Sequence, residues 1–352
     1  MERIRPFGQL EDGRTVHACR LGDADGLCAE ILDLGGILAR LQVPGADGRV
    51  DAVLRLPDAQ AYFADPAYLG ILVGRYGNRI GGARFALDGR EYAVSANEGR
   101  NHLHGGHLGF GRRLWEVQSH GPDALVLRLH SPDGEEGYPG NLDVVATYRV
   151  HGTRLELVFE ACSDAHTPFN PTHHPYFNLS GSAAVPAAAQ VLQVPVAGML
   201  PVDDALIPLG RVQPVAGTPF DFRTAATLQA QLGRDDPQLR IAGGFDHCLV
   251  LDAGHACAAE LYSPHSGVAM RIACDAPALQ LYGGQGLARQ HPGRGDGLCL
   301  EPQDYPDAPN QPAFPPAVLR PGTAYRRRIV YRFACPGRDR AWDEVAASLE
   351  RA

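Results

Sequence analysis

The chain has 352 residues, 45% of them apolar and 20% charged, a balance that allows a sizeable core and excludes a disordered polymer. With 32 basic and 40 acidic side chains the net charge is −8, which disfavours a nucleic-acid grip or an anionic membrane surface. No window reaches the ~18 apolar residues of a membrane span, and Met1 to Leu10 lacks a secretory apolar run, so the expectation is a cytoplasmic protein with no membrane partner.

In chain order the pattern is one of short strands and turns, as 41 glycines and 28 prolines favour. Asp47-Gly48 marks an early turn. Phe85-Ala86-Leu87 and Arg90-Glu91-Tyr92 flank Asp88-Gly89, a two-residue signal for a tight hairpin. Leu125, Leu127 and Leu129 alternate with more polar neighbours, and so do Leu142, Val144, Ala146, Tyr148 and Val150. Leu155, Leu157 and Phe159, and later Ile329, Tyr331 and Phe333, repeat that period of two, which sets one face of each strand on a core. Gly181 to Ala189 is alanine-rich and reads as a surface excursion. The fold class is therefore all-β, a sandwich of antiparallel strands. No fixed-period repeat or low-complexity linker divides the chain, so one domain is expected over residues 1–335. In the tail, 336–352, Trp342, Val345, Ala346 and Leu349 follow a helical spacing, and a short amphipathic helix capping its own domain is expected.

Eight cysteines stand alone without a Cys-x-x-Cys pair, which removes zinc-ribbon and thioredoxin readings and leaves reduced, structural thiols. No Gly-x-Ser-x-Gly elbow or phosphate loop occurs, and Gly284-x-Gly286 lacks the third glycine of a dinucleotide fingerprint. Arg294-Gly295-Asp296 is a chance tripeptide in a glycine-rich turn.

Histidine carries the first chemical signal. His102, His104 and His107 lie in Asn101-His102-Leu103-His104-Gly105-Gly106-His107, and His173-His174 form a second group. His-x-His spacing would put two imidazoles on one strand face, but Leu108 and Gly109 stand where a metal-binding carboxylate would follow. The favoured reading is a polar, sugar-sized pocket whose imidazoles hydrogen-bond and transfer a proton. Glu301, straight after an apolar strand in Cys299-Leu300-Glu301-Pro302-Gln303, has the setting of a desolvated general base. Asp246 and Arg79 are further polar islands, readable by themselves as a turn former and a salt-bridge partner.

These islands together resemble the aldose 1-epimerases, or galactose mutarotases. Gly74-Arg75-Tyr76-Gly77-Asn78-Arg79-Ile80 is similar to the family's Gly-Arg-x-Ala-Asn-Arg-Ile, and Asn101-His102-Leu103-His104-Gly105-Gly106 to its Asn-x-Leu-His-Gly-Gly. Glu136 to Asn141, Pro171 to Leu179, Phe245-Asp246-His247, Leu279 to Tyr282 and Leu300 to Ala308 follow in the family's order, over roughly residues 20–333. The resemblance implies a large antiparallel β-supersandwich that interconverts the anomers of a free aldohexose such as glucose or galactose, with no cofactor and no metal. It implies Glu301 as general base and His174 as general acid, with Asn78, Arg79, His104, Tyr176, Asp246 and Gln280 binding the sugar. His173 departs from the usual Asn and stands beside the acid, where it could retune it. On this reading acid and base lie at opposite edges of the pyranose, near O1 and O5, with the glutamate ionised and the histidine protonated. The sugar is the one partner implied, and the chain is expected to be a monomer or weak dimer.

Overall fold

The structure is a computed structural model that describes residues 4–23, 26–254, 256–291 and 296–352. Arg294 and Gly295 of the Arg-Gly-Asp tripeptide lie outside the described residues. Three sheets dominate. The first five strands, Ile4–Gln9 through Gly48–Asp51, form a five-stranded sheet in chain order. A nine-stranded sheet runs from Glu116–His120 to Ala226–Thr227, and a four-stranded sheet joins Val196–Met199, Asp246–Leu251, Ala278–Tyr282 and Cys299–Gln303. Every pairing between named strands among the described residues is antiparallel. The architecture is the all-β antiparallel sandwich predicted from the alternation, in the large supersandwich form that the resemblance implies.

That alternation sets the register. In Leu142–His151 the alternate residues Leu142, Val144, Ala146, Tyr148 and Val150 are buried, whereas Arg149 and His151 face solvent. Leu157 stands opposite Tyr148 on one side and Ile329 on the other, so Tyr325–Ala334 adds to the sheet beside a strand distant in sequence. The inner faces share a core: Ile31 and Leu41 of the five-stranded sheet, Leu127 and Leu157 of the nine-stranded sheet, and Leu249 and Leu281 of the four-stranded sheet. Arg84–Leu87 and Arg90–Ala93 form the hairpin read from Asp88-Gly89, and both turn residues have the positive φ, 52° and 75°, that this turn demands.

The excursion Gly181 to Ala189 is largely at the surface, although Ala187 is drawn into the core. The chain ends in a helix, Trp342–Arg351, whose Val345 and Leu349 are fully buried against Tyr262 and Ala269. Among the described residues no helix is long and apolar enough to cross a membrane.

Candidate active site

The four-stranded sheet sets three of the singled-out residues on one face. Gln280 is directly opposite Glu301, and Asp246, opposite Tyr282, is its diagonal neighbour. Side chains in such positions share a face and touch: Gln280 Nε2 donates to Asp246 Oδ1 at 2.6 Å. Cys299 lies two residues before Glu301 on the same strand and so faces the same way. Glu301 is 2% exposed, and among the described residues its Oε2 has no hydrogen-bond partner.

A second wall comes from two close-packed loops. His102–Leu103 pairs with Arg79–Ile80, and the chain then turns through His104, Gly105 and Gly106, at φ 52°, 85° and 101°. A Cβ at Gly105 would meet the Gly74 carbonyl oxygen at 1.8 Å, so only glycine lets these loops approach. The turn breaks the strand alternation, and the two histidines of His-x-His part company. His102 points into the core, its Nδ1 2.7 Å from the Ser95 carbonyl and its Nε2 2.7 Å from the Tyr138 hydroxyl. His104 turns the other way. Its Nδ1 accepts the backbone N–H of Asn78 at 3.2 Å, so Nε2 carries the hydrogen, and burial holds the ring neutral.

Arg79 is held between two carboxylates. Its Nε and Nη2 donate to Glu98 at 2.7 Å each, and its Nη1 lies 3.5 Å from Asp246 Oδ2. Arg79 is thus a salt-bridge partner, and the paired side chain also lines the cavity.

His174 Nε2 is 3.6 Å from Glu301 Oε1, and its Nδ1 is 3.5 Å from Cys299 Sγ. That separation is too short to span a pyranose ring and suits two oxygens on one carbon, so the opposite-edge arrangement does not hold. Burial works against the ionised pair expected from the sequence. Burial pushes His174 down to about 4 and Glu301 well above the usual carboxylate range, with the Asp246 charge pushing Glu301 the same way and Arg79 opposing it. Desolvation therefore favours the uncharged form of each group. His173 does not reach the cavity: the next residue along an extended chain faces the opposite side, and it contacts Tyr331 at 3.0 Å and Tyr148 at 3.3 Å in the core. His174, Cys299 and Glu301 offer three donor atoms within 4.8 Å of one another. Sulfur and carboxylate address different nitrogens of the imidazole, however, and a closed tetrahedral site would need one nitrogen facing both.

These side chains surround a cavity of about 180 Å³ lined by Asn78, Arg79, His104, His174, Tyr176, Asp246 and Glu301. Seven of the eight residues named from sequence thus converge. Gln280 stands behind Asp246 and is not in the lining. Tyr68, Glu98, Tyr282 and Gln290 also line the cavity and were missed. Tyr282 closes the quoted segment Leu279 to Tyr282, so its signal was available. Tyr68 packs edge-on against His104 at 4.8 Å between ring centres, and no local pattern marks it.

The family described as aldose 1-epimerase matches residues 17–332. The chain is 37% identical over 339 residues to the galactose mutarotase of Mus musculus, covering 93% of this chain and 97% of that protein. It is 35% identical to the aldose 1-epimerase of Escherichia coli strain K12, over 92% of this chain and 96% of the other. Among solved structures, an aldose epimerase homologue from C. elegans superposes with a TM-score of 0.84 at 31% identity, over 90% of this chain and 98% of that one. A galactose 1-epimerase from Lactobacillus acidophilus NCFM gives 0.81 at 30% identity, over 94% and 97% of the two chains.

Proposed function

The chain belongs to the aldose 1-epimerase family, and from that premise we propose that it interconverts the α and β anomers of free aldohexoses such as glucose and galactose, with Glu301 as general base and His174 as general acid. One observation carries the roles: the buried Glu301–His174 contact at 3.6 Å, with the unpartnered Glu301 Oε2 in the same cavity.

A sugar O1 hydroxyl donating to Oε2 supplies the hydrogen bond that favours the carboxylate, and the proton on Glu301 passes to His174 Nε2. The carboxylate then takes the O1 proton while the imidazolium gives its proton to O5. The C1–O5 bond opens, the aldehyde turns about C1–C2, and the ring closes on the other face with the two groups in exchanged roles. Each step is a proton transfer or a rotation, and each positioned acid or base contributes ~10²–10⁴ in rate. His104 presents a neutral Nε2–H as a donor, while Arg79, Asp246 and Asn78 offer charged and polar contacts to the hydroxyls. Gln280 acts through Asp246, and Tyr176 forms part of the wall.

A sugar phosphate fits less well. Arg79 is the only cationic side chain among the described lining residues, and two carboxylates already neutralise it. Eight unpaired thiols suit a reducing compartment, which supports a cytoplasmic location.

Polarimetry on freshly dissolved α-glucose and α-galactose tests the activity. The expected result is a first-order approach to equilibrium faster than in buffer alone. Binding seen by calorimetry without any acceleration would make the protein a sugar binder instead.

A further inference from the structure

We propose that Glu98 is a positioning residue for sugar binding: it holds the Arg79 guanidinium off Asp246, so that Nη1 and the facing carboxylate oxygen are both left to a sugar hydroxyl. The two carboxylates stand at unequal distances from Arg79. Its Nε donates to Glu98 Oε2 and its Nη2 to Glu98 Oε1, each at 2.7 Å, the paired geometry that fixes a guanidinium plane. Asp246 Oδ2 lies 3.5 Å from Nη1, longer than a charged hydrogen bond of ~2.7–2.9 Å. The other oxygen of Asp246 is occupied by Gln280 Nε2 at 2.6 Å. Glu98 therefore takes up one edge of the guanidinium, and the remaining end faces a carboxylate that it does not close upon. All three side chains line the cavity. A hydroxyl that accepts from Nη1 and donates to Oδ2 uses both atoms at once. A guanidinium released from Glu98 is free to close on Asp246, and each then occupies the other.

The loop that carries Glu98 is built to hold it in place. Its side chain is 36% exposed, and an exposed ion pair without further support contributes little. Here the backbone supplies the support. The Glu98 N–H donates to the Asn101 carbonyl at 3.1 Å, and the Asn101 N–H returns to the Glu98 carbonyl at 2.9 Å. Just before this turn, Asn97 exchanges two hydrogen bonds with the backbone of Leu103, at 2.8 and 2.9 Å. Leu103 is the strand partner of Arg79. The anchor of the carboxylate and the backbone of the arginine thus belong to one ladder. Their spacing is set by main-chain hydrogen bonds as well as by the attraction of the charges.

The proposal rests on the sugar-binding reading above, and the readouts separate the two. Polarimetry gives kcat and KM, and calorimetry gives Kd for galactose. In Glu98→Ala both KM and Kd should rise roughly tenfold, the lower end for a hydrogen bond to a charged donor, with kcat little changed. Glu98→Gln, which keeps the shape but turns an amide N–H against the guanidinium, should behave alike and serves if Glu98→Ala does not fold. In an Arg79→Ala background, loss of Glu98 should cost nothing further in kcat/KM, because it acts through Arg79. Arg79→Met, which keeps the buried stem, provides that background if Arg79→Ala unfolds. A further loss there overturns the proposal, since Glu98 would then touch the sugar itself. Unchanged KM and Kd in Glu98→Ala also overturn it, as does a fall in kcat alone. A wild-type protein that binds galactose without accelerating mutarotation sinks the acid–base roles, and Kd alone then decides the positioning. One that binds neither glucose nor galactose overturns both.

Discussion

Glu301 Oε1 and His174 Nε2 stand 3.6 Å apart, with side chains 2% and 5% exposed, so acid and base face each other in surroundings from which water is largely excluded. The consequences of that pairing can be measured.

Glu301→Gln keeps the shape but cannot accept a proton, and His174→Asn removes the acid. Each should lower kcat by about 10² or more in polarimetry, with sugar affinity changed far less. The double variant should lose less than the product of the single effects, because residues that act as a unit are not additive. Near-normal turnover in Glu301→Gln would move the base to another carboxylate, with Asp246 next in line.

The profile of kcat/KM against pH should be a broad plateau. Its acid limb reports a second proton entering His174, which burial holds down to about 4, and its alkaline limb the loss of the proton from Glu301, which burial holds up. Arg79 lowers Glu301 and Asp246 raises it, so Arg79→Ala should move the alkaline limb to higher pH and Asp246→Asn to lower pH. Limbs that shift the opposite way in these variants would reassign the titrating group.

Acid should destabilise the fold early. Burial lowers His102, His104, His173, His174 and His247 from 6.5, leaving them neutral in the native state. The unfolded chain takes up these protons as pH falls through 6.5 while the native state does not, so stability declines between pH 6.5 and about 4. Each unit of pKa difference is worth about 1.4 kcal/mol at most sites. A Tm constant from pH 7 to 4.5 would contradict this.

Arg79→Ala should cost roughly ten- to a hundredfold in kcat/KM, since hydrogen bonds to a charged donor are worth about 1.5–3 kcal/mol. Circular dichroism should remain native. Should the variant unfold while activity per folded molecule persists, the ion pairs with Glu98 and Asp246 are the whole of its role.

Exhaustive treatment with EDTA should leave mutarotation unchanged, because Cys299 and Glu301 face different nitrogens of His174. Activity lost to the chelator and regained with zinc would overturn that expectation.

The period-two alternation determined the class of fold, and Asp88-Gly89 determined a hairpin with its turn, because strand faces and tight turns depend on neighbouring residues alone. Resemblance between short motifs was enough to name Glu301, His174, Arg79 and His104, each of which lies in a contiguous segment. Which way those side chains point was decided by the tertiary structure. His102 and His104 separate because the chain turns at positive φ where Gly105 packs on Gly74. Gln280 falls behind Asp246 because of sheet register, and Glu98 joins Arg79 from a loop that carries no signal of its own. The charge state was likewise beyond the sequence. Opposite charges close together favour ionisation, but desolvation opposes it, and only the depth of burial around His174 and Glu301 decides which effect prevails.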